Sequence, residues 1–273
     1  MKQNYKILWL LFAFAAGLFG GVLRGHELTV CYHSASGLYT YDYSSYALVA
    51  LCAVTGALYV LCALLTREDA AAYVSRFRLS RVGLILNVFA GFLIAVSGAL
   101  YTLSVMRQFS IYRILLGVFT VLAGVCVILL ASARKKQVLL DSAPMAAVAT
   151  VFWACFMLIA TFMEHPVEPI LQLFAYDLLA MCAAALSVYC QAAPMFGKRR
   201  RRLCVFSSLS AVTLLTVAVF GRLTASVLSG EAWYFTEVLF RMLVMSGLIL
   251  YCGQAAAACL RSLDGKETAG DKE

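Results

Sequence analysis

The chain has 273 residues, of which 63% are hydrophobic and 13% charged, whereas soluble domains run nearer ~45–50% apolar and ~25% charged. A single soluble core cannot hide that much apolar surface, so composition excludes an ordinary soluble domain and makes lipid the expected solvent. The formal net charge of +8 sits in short clusters between apolar blocks, a pattern that membrane topology explains, and no nucleic-acid partner is expected.

Eight apolar blocks follow one another, each near the ~20 residues of helix that a bilayer core requires. The first is Ile7–Leu23, preceded by Lys2 and Lys6. A cleaved leader is the alternative reading, with Ala15 and Ala16 as the small residues, but the run is long for that role. Gly17 and Gly21 make a GxxxG, which is expected to let another helix approach closely. The longest connection follows, Arg24–Ser45, with His26, Cys31 and His33. Tyr39, Tyr41, Tyr43 and Tyr46 then crowd the approach to the second span and are read as headgroup-level anchors, as are Trp9 and Trp233.

The second span is Tyr46–Leu65. The third, Val82–Met106, carries Asn87, which is expected to hydrogen-bond between helices. The fourth is Ile111–Ser132 and the fifth Met145–Met163. Pro166 and Pro169 sharpen the short turn into the sixth, Ile170–Ala192. The seventh is Leu203–Gly221, the eighth Phe235–Leu260, and a polar tail of 13 residues follows. Continuous rather than alternating apolar runs favour helices over a membrane barrel, because a helix satisfies its own backbone hydrogen bonds in lipid. The expected fold class is therefore all-α, a polytopic bundle of eight transmembrane helices. None of the connections is long enough for an attached soluble domain of ordinary size.

Seventeen of the 22 Lys and Arg residues fall between alternate spans: Lys2 and Lys6; Arg67, Arg76, Arg78 and Arg81; Arg134, Lys135 and Lys136; Lys198 through Arg202; and Arg261, Lys266 and Lys272. Cytoplasmic loops carry such an excess, so both termini are expected in the cytoplasm of a cell-membrane protein. The remaining five, Arg24, Arg107, Arg113, Arg222 and Arg241, fall at the outer ends of spans. Only Cys31 among the ten cysteines falls in an outer loop and there is no CxxC, so the thiols read as small apolar residues.

The two halves of the chain resemble each other in order. Tyr46–Ala53 followed by Tyr59 matches Tyr176–Ala183 followed by Tyr189; Tyr112-Arg113 matches Phe240-Arg241; and Ala95–Gly98 matches Ala218–Gly221. This collinearity suggests a 4+4 parallel repeat: residues 1–136 as the first four-helix unit, 137–260 as the second, and 261–273 as a polar cytoplasmic tail. Parallel repeats relate their halves by an axis along the membrane normal and place sites near the interface in some transporters.

Ionisable groups inside a membrane are costly, and each invites a functional reading. Asp177 lies in the sixth span and Arg241 in the eighth, at similar depth from the outer face, so Arg241 is the expected partner of Asp177. Glu237, one turn before Arg241, competes for it at i,i+4. With Arg113 and Tyr176 these residues form the expected ligand-binding set; a purely structural Asp–Arg lock is the competing reading. His26, His33 and His165 lie on the outer side with Cys31, but their spacing matches no metal motif, and no metal or cofactor is expected.

No HExxH, P-loop, GxGxxG or GxSxG is present. Intramembrane proteolysis is also unsupported: no span contains His, and Asp177 has no second Asp in another span. The expectation is a non-enzymatic protein whose partners are the lipid bilayer and either a small solute or ion, or a partner membrane protein. A membrane-embedded enzyme acting on a lipid-linked substrate is the least favoured reading.

Overall fold

The computed structural model describes residues 2–33, 38–39, 42–66, 79–106, 111–136, 142–163, 172–198, 200–229 and 235–261, with side chains described except at 2–6, 32–33, 38–39, 172–173, 229, 235–237 and 261. The helices are α1 (Lys2–Val30), α2 (Tyr43–Leu65), α3 (Arg81–Val105), α4 (Ile111–Lys136), α5 (Ala143–Met163), α6 (Gln172–Ala192), α7 (Arg201–Ser229) and α8 (Phe235–Arg261). A two-residue hairpin, β1 (Tyr32–His33) against β2 (Leu38–Tyr39), lies between α1 and α2, with Tyr32 opposite Tyr39. The chain is an all-helical, multi-pass membrane protein: eight helices among the described residues are long and apolar enough to cross a bilayer.

Local chemistry sets the helix ends. Ser80 caps α3, its Oγ accepting the amide of Gly83 at 3.1 Å, which satisfies one of the donors a helix start leaves open. After α6 a 3₁₀ turn over Ala193–Phe196 stops at Gly197, whose φ of 72° suits a residue without Cβ and aims the chain into the basic run before α7. Two helices run further than hydropathy alone suggests. α1 continues past Leu23 to Val30, and α7 past Gly221 to Ser229. In each case a charge that reads as the end of the span, Arg24 or Arg222, lies inside the helix because an acidic side chain pairs with it.

α7 and α8 are the most buried spans, and α1 and α2 the least. The most extensive seam joins α1 to α7, followed by α3 with α4. Along the first, Gly17 faces Thr213 and Thr216, Gly21 faces Phe220 and Gly25 faces Thr224. A Cβ on Gly17 would stand 2.6 Å from the Cβ of Thr216, so the backbone approach requires glycine there. The GxxxG therefore does what its spacing implies, extended by one turn through Gly25. Thr213 and Thr224 donate across the seam to the carbonyls of Ala13 and Gly21, each at 3.1 Å.

Paired contacts also set direction. α1 and α7 run parallel, as the glycine contacts rise together in number. α3 opposes both α4, through Gly91 against Gly124 and Gly98 against Gly117, and α8, through Ile94 against Gly247 and Tyr101 stacked on Phe240. α6 opposes α7, through Asp177 with Arg222 and Ser187 with Ser208. This alternation places Arg81, Arg134, Lys135, Lys136, Lys198, Arg200, Arg201 and Arg202 at one end of the bundle, and Arg24, Arg113, Arg222 and Arg241 at the other. Helices of segments 1–136 and 137–260 pack on one another, α1 with α7, α3 with α8 and α2 with α7.

Candidate functional site

The end of the bundle opposite the basic one carries two distinct polar clusters. The first is built on α1, α6 and α7. Arg24 and Glu27, one turn apart on α1, are both buried and joined by a 2.6 Å hydrogen-bonded ion pair, Arg24 Nη1 donating to Glu27 Oε2. The Arg24 guanidinium stands 4.8 Å over the ring of Tyr176 on α6, a cation–π contact. Gly221 of α7 makes room for the Arg24 stem, since a Cβ there would lie 2.6 Å from Arg24 Cγ. Tyr176 itself packs with Leu48 and Val217, flanked by Leu23 and Cys52.

The next residue, Asp177, is also buried and pairs with Arg222 of α7 through Oδ2. Its ion-pair partner is therefore Arg222, not Arg241, which corrects the expected pairing. Packing explains the difference. α6 lies extensively along α7 and only marginally along α8, so the α7 cation is the one within reach. Consecutive residues of α6 thus serve opposite neighbours, Tyr176 toward Arg24 and Asp177 toward Arg222. The four charges of this cluster sum to zero, which lowers the cost of holding them in a low-dielectric medium.

The second cluster lies on α3, α4 and α8. Arg241 is 7% exposed and near enough to Tyr101 and Tyr112 to interact electrostatically. Arg113, half-buried on α4, is likewise close to Tyr112. The Tyr112 ring meets Phe156 of α5 edge-on at 5.9 Å, and its hydroxyl is buried with no hydrogen-bond partner among the described residues. This cluster holds two cations and two phenols. Glu237 lies on α8 near them in sequence, but its side chain falls outside the described residues.

A third polar group, at the basic end, has no counterpart in the sequence reading. Arg134, in the last turn of α4, is 1% exposed; its Nη2 donates to Gln191 Oε1 at 3.2 Å and to Tyr251 Oη at 3.1 Å. Gln191 continues to Ser187 at 3.5 Å, and Ser187 bonds Ser208 at 2.7 Å. Buried side chains of α4, α6, α7 and α8 are thereby linked. At the end of α8, Arg201 donates twice to the carbonyl of Cys259, at 3.0 and 2.6 Å, satisfying an acceptor that the helix end leaves open. Arg202 does the same for Thr66 at the end of α2, at 2.9 Å.

A signal for Arg134 does exist in the chain. It continues the buried stripe Val127, Leu130, Ala131 at helical spacing, whereas Lys135 and Lys136 fall on the exposed side. Arg24 similarly continues the face of Gly17 and Gly21, with Glu27 three residues on.

Other sequence-derived candidates disperse. His26 is exposed, while Cys31 is buried, its sulfur 3.9 Å from the hydroxyls of Ser44 and Ser45. The His33 side chain and all of Glu164, His165, Pro166, Pro169 and Trp233 lie outside the described residues. Among the described residues no three His, Cys, Asp or Glu side chains converge as a metal site. Asn87 does not bridge helices: its Nδ2 donates to Gly83 O of its own helix at 3.0 Å, the carbonyl one turn back being the nearer acceptor. Tyr43 and Tyr46 are well exposed at the start of α2, as anchoring aromatics are.

The chain matches no protein-family model, no curated protein and no solved structure.

Proposed function

We propose that this chain is a non-catalytic protein of the cell membrane, with both termini in the cytoplasm, that binds a small anionic solute from the outer side at Arg241. The observation that carries this reading is the buried Tyr112 hydroxyl, which has no hydrogen-bond partner among the described residues and lies within electrostatic range of Arg241 and Arg113. A buried donor left unsatisfied costs free energy that a bound acceptor recovers. Two guanidinium groups within electrostatic range of it favour a carboxylate or phosphate acceptor over a cation. Asp177 is engaged by Arg222 and stands outside this site, so the binding set becomes Arg241, Arg113 and Tyr112. The 4+4 organisation belongs to the same proposal, since Arg113 and Arg241 occupy matching positions in the two halves.

The test is a thermal-shift screen of the detergent-purified protein against inorganic phosphate, sulfate, small carboxylates, monovalent cations and divalent metals. A ligand that binds only the folded state at a hundred times its Kd stabilises by about 2.7 kcal/mol. Anions are expected to raise the melting temperature of the wild type and of Asp177→Asn, and to lose that effect in Tyr112→Phe and Arg241→Gln. A shift produced by cations alone, or no shift with any anion, overturns the reading.

A second reading, a non-catalytic interaction or sensory subunit acting through a partner membrane protein, is favoured by the first cluster. Arg24–Glu27 and Asp177–Arg222 are charge-matched ion pairs beside a glycine-packed seam, as structural locks are. Absence of ligand shifts, with Asp177→Asn merely less stable, selects this alternative.

A further inference from the structure

The geometry points to Cys204 and Cys259 as an oxidisable pair that forms a reversible disulfide between α7 and α8 at the basic end of the bundle. Cys204 stands in the first turn of α7 and Cys259 in the last turn of α8. Their sulfurs are 3.4 Å apart. A disulfide holds its sulfurs ~2.05 Å apart, so closure needs a movement of roughly 1.4 Å, within reach of small side-chain rotations. None of the ten cysteines is joined in a disulfide.

The surroundings hold the two thiols in register. Arg201, three residues before Cys204, grips the backbone carbonyl of Cys259 with two donors, pinning the end of α8 against the start of α7. Ser208, one turn further along α7, lies 3.9 Å from the Cys204 sulfur and is itself bonded to Ser187 of α6. Both cysteines are buried, 2% and 0% exposed, so a small neutral oxidant such as hydrogen peroxide fits the approach and a bulky disulfide does not. No group of three potential metal ligands forms here among the described residues, which favours thiol–thiol chemistry over a metal-thiolate site.

The reaction balances without a further reactant. One thiolate attacks a peroxide oxygen; the O–O bond breaks, giving a sulfenic acid and hydroxide. The second thiolate attacks the sulfenic sulfur and expels the other oxygen as hydroxide. Two thiols and one peroxide become a disulfide and two waters, with the peroxide reduced by two electrons. A dithiol reverses the step by exchange. The bond would tie α7, which packs on α1, α2, α6 and α8, to the helix that carries Arg241. This inference does not depend on the ligand reading above.

The experiment is peptide mapping of the full chain in liposomes. The protein is exposed to graded hydrogen peroxide, quenched, alkylated with N-ethylmaleimide under denaturing conditions and analysed by mass spectrometry without reduction. The expected first product is one crosslinked peptide joining Cys204 to Cys259, with an intact mass lower by two hydrogens and two fewer alkylation labels. Dithiothreitol should restore both labels, and Cys204→Ala and Cys259→Ala should each lose the crosslink. The proposal is overturned if both cysteines still alkylate after peroxide, or if oxidation falls first on the lipid-exposed Cys155 or Cys182. The wild-type map decides this by itself, however the variants fold.

Discussion

Asp177 of α6 and Arg222 of α7 form an ion pair in the half of the bundle away from its basic end, with the carboxylate buried and the guanidinium half-buried. Adjacent to it in sequence, Tyr176 supports Arg24 on α1, so one short stretch of α6 engages two neighbouring helices. The arrangement places four charges in the membrane without net charge, and it couples α6 to the most extensive seam in the molecule.

Removing one member of that pair should be worse than removing both. Asp177→Ala leaves Arg222 facing a desolvated site and should cost about 3 kcal/mol of stability, the lower end of values for broken buried pairs. The double variant Asp177→Leu, Arg222→Met should regain most of that loss. Equilibrium unfolding in mixed micelles checks both, and a double-mutant cycle isolates the coupling. Strict additivity of the two single substitutions would contradict an interhelical lock.

The glycines should divide into two classes by what a methyl group would meet. Gly21→Ala forces its Cβ to within 2.6 Å of the Phe220 Cβ and should destabilise by about 1–3 kcal/mol as α1 is pushed off α7. Gly56, in α2, has nothing within 4 Å of the same position. Gly56→Ala should be neutral or stabilising by about 0.5–1 kcal/mol, because alanine restricts the unfolded chain and favours helix. Thermal melts of the two variants side by side separate close approach from simple helix propensity.

Arg134 should behave as a core residue despite its place beside two exposed lysines. Tyr251→Phe removes one acceptor and should cost about 1 kcal/mol, while Arg134→Ala removes charge-assisted bonds to both Gln191 and Tyr251 and should cost about 3 kcal/mol. Lys135→Ala and Lys136→Ala should lie within about 0.5 kcal/mol of the parent, as exposed substitutions do. Equal losses at 134, 135 and 136 in a stability scan would remove Arg134 from the network.

Orientation can be read directly. Reporter fusions ending after Lys136 or after Lys198 should report the cytoplasm, and fusions ending after Asp42 or after Met163 the outer side, as the Lys and Arg bias requires. The opposite pattern would invert the bundle and place Arg241 toward the cytoplasm.

Much of the architecture was legible in the chain because membrane insertion reads local quantities. Eight apolar runs and the placement of Lys and Arg suffice for span number and alternation, since each span meets the same solvent and satisfies its own backbone. The GxxxG of α1 was legible for the same reason: side-chain size along one helix face limits how closely anything can approach it. Pairing between helices was not. Whether Asp177 meets Arg222 or Arg241 depends on which helix lies beside α6, and lipid solvates every apolar face about equally. Hydropathy therefore carries no preference among neighbours.

The same limit explains where the spans end. By hydropathy Arg24 and Arg222 close their helices, yet both lie within them: Glu27 pairs with Arg24 from one turn along the same helix, whereas Asp177 reaches Arg222 only because the packed bundle lays α6 beside α7. Arg134 looks solvated in a run of three basic residues, yet is buried, because α6 and α8 bring Gln191 and Tyr251 to it. The sequence by itself determined the solvent, the number of crossings and the end of the bundle that carries the positive charge, all properties summed along single helices. Only the tertiary structure decided which charge Asp177 pairs with, which cysteines meet and which hydroxyl is buried with no partner among the described residues, because each depends on the distance between helices remote in the chain.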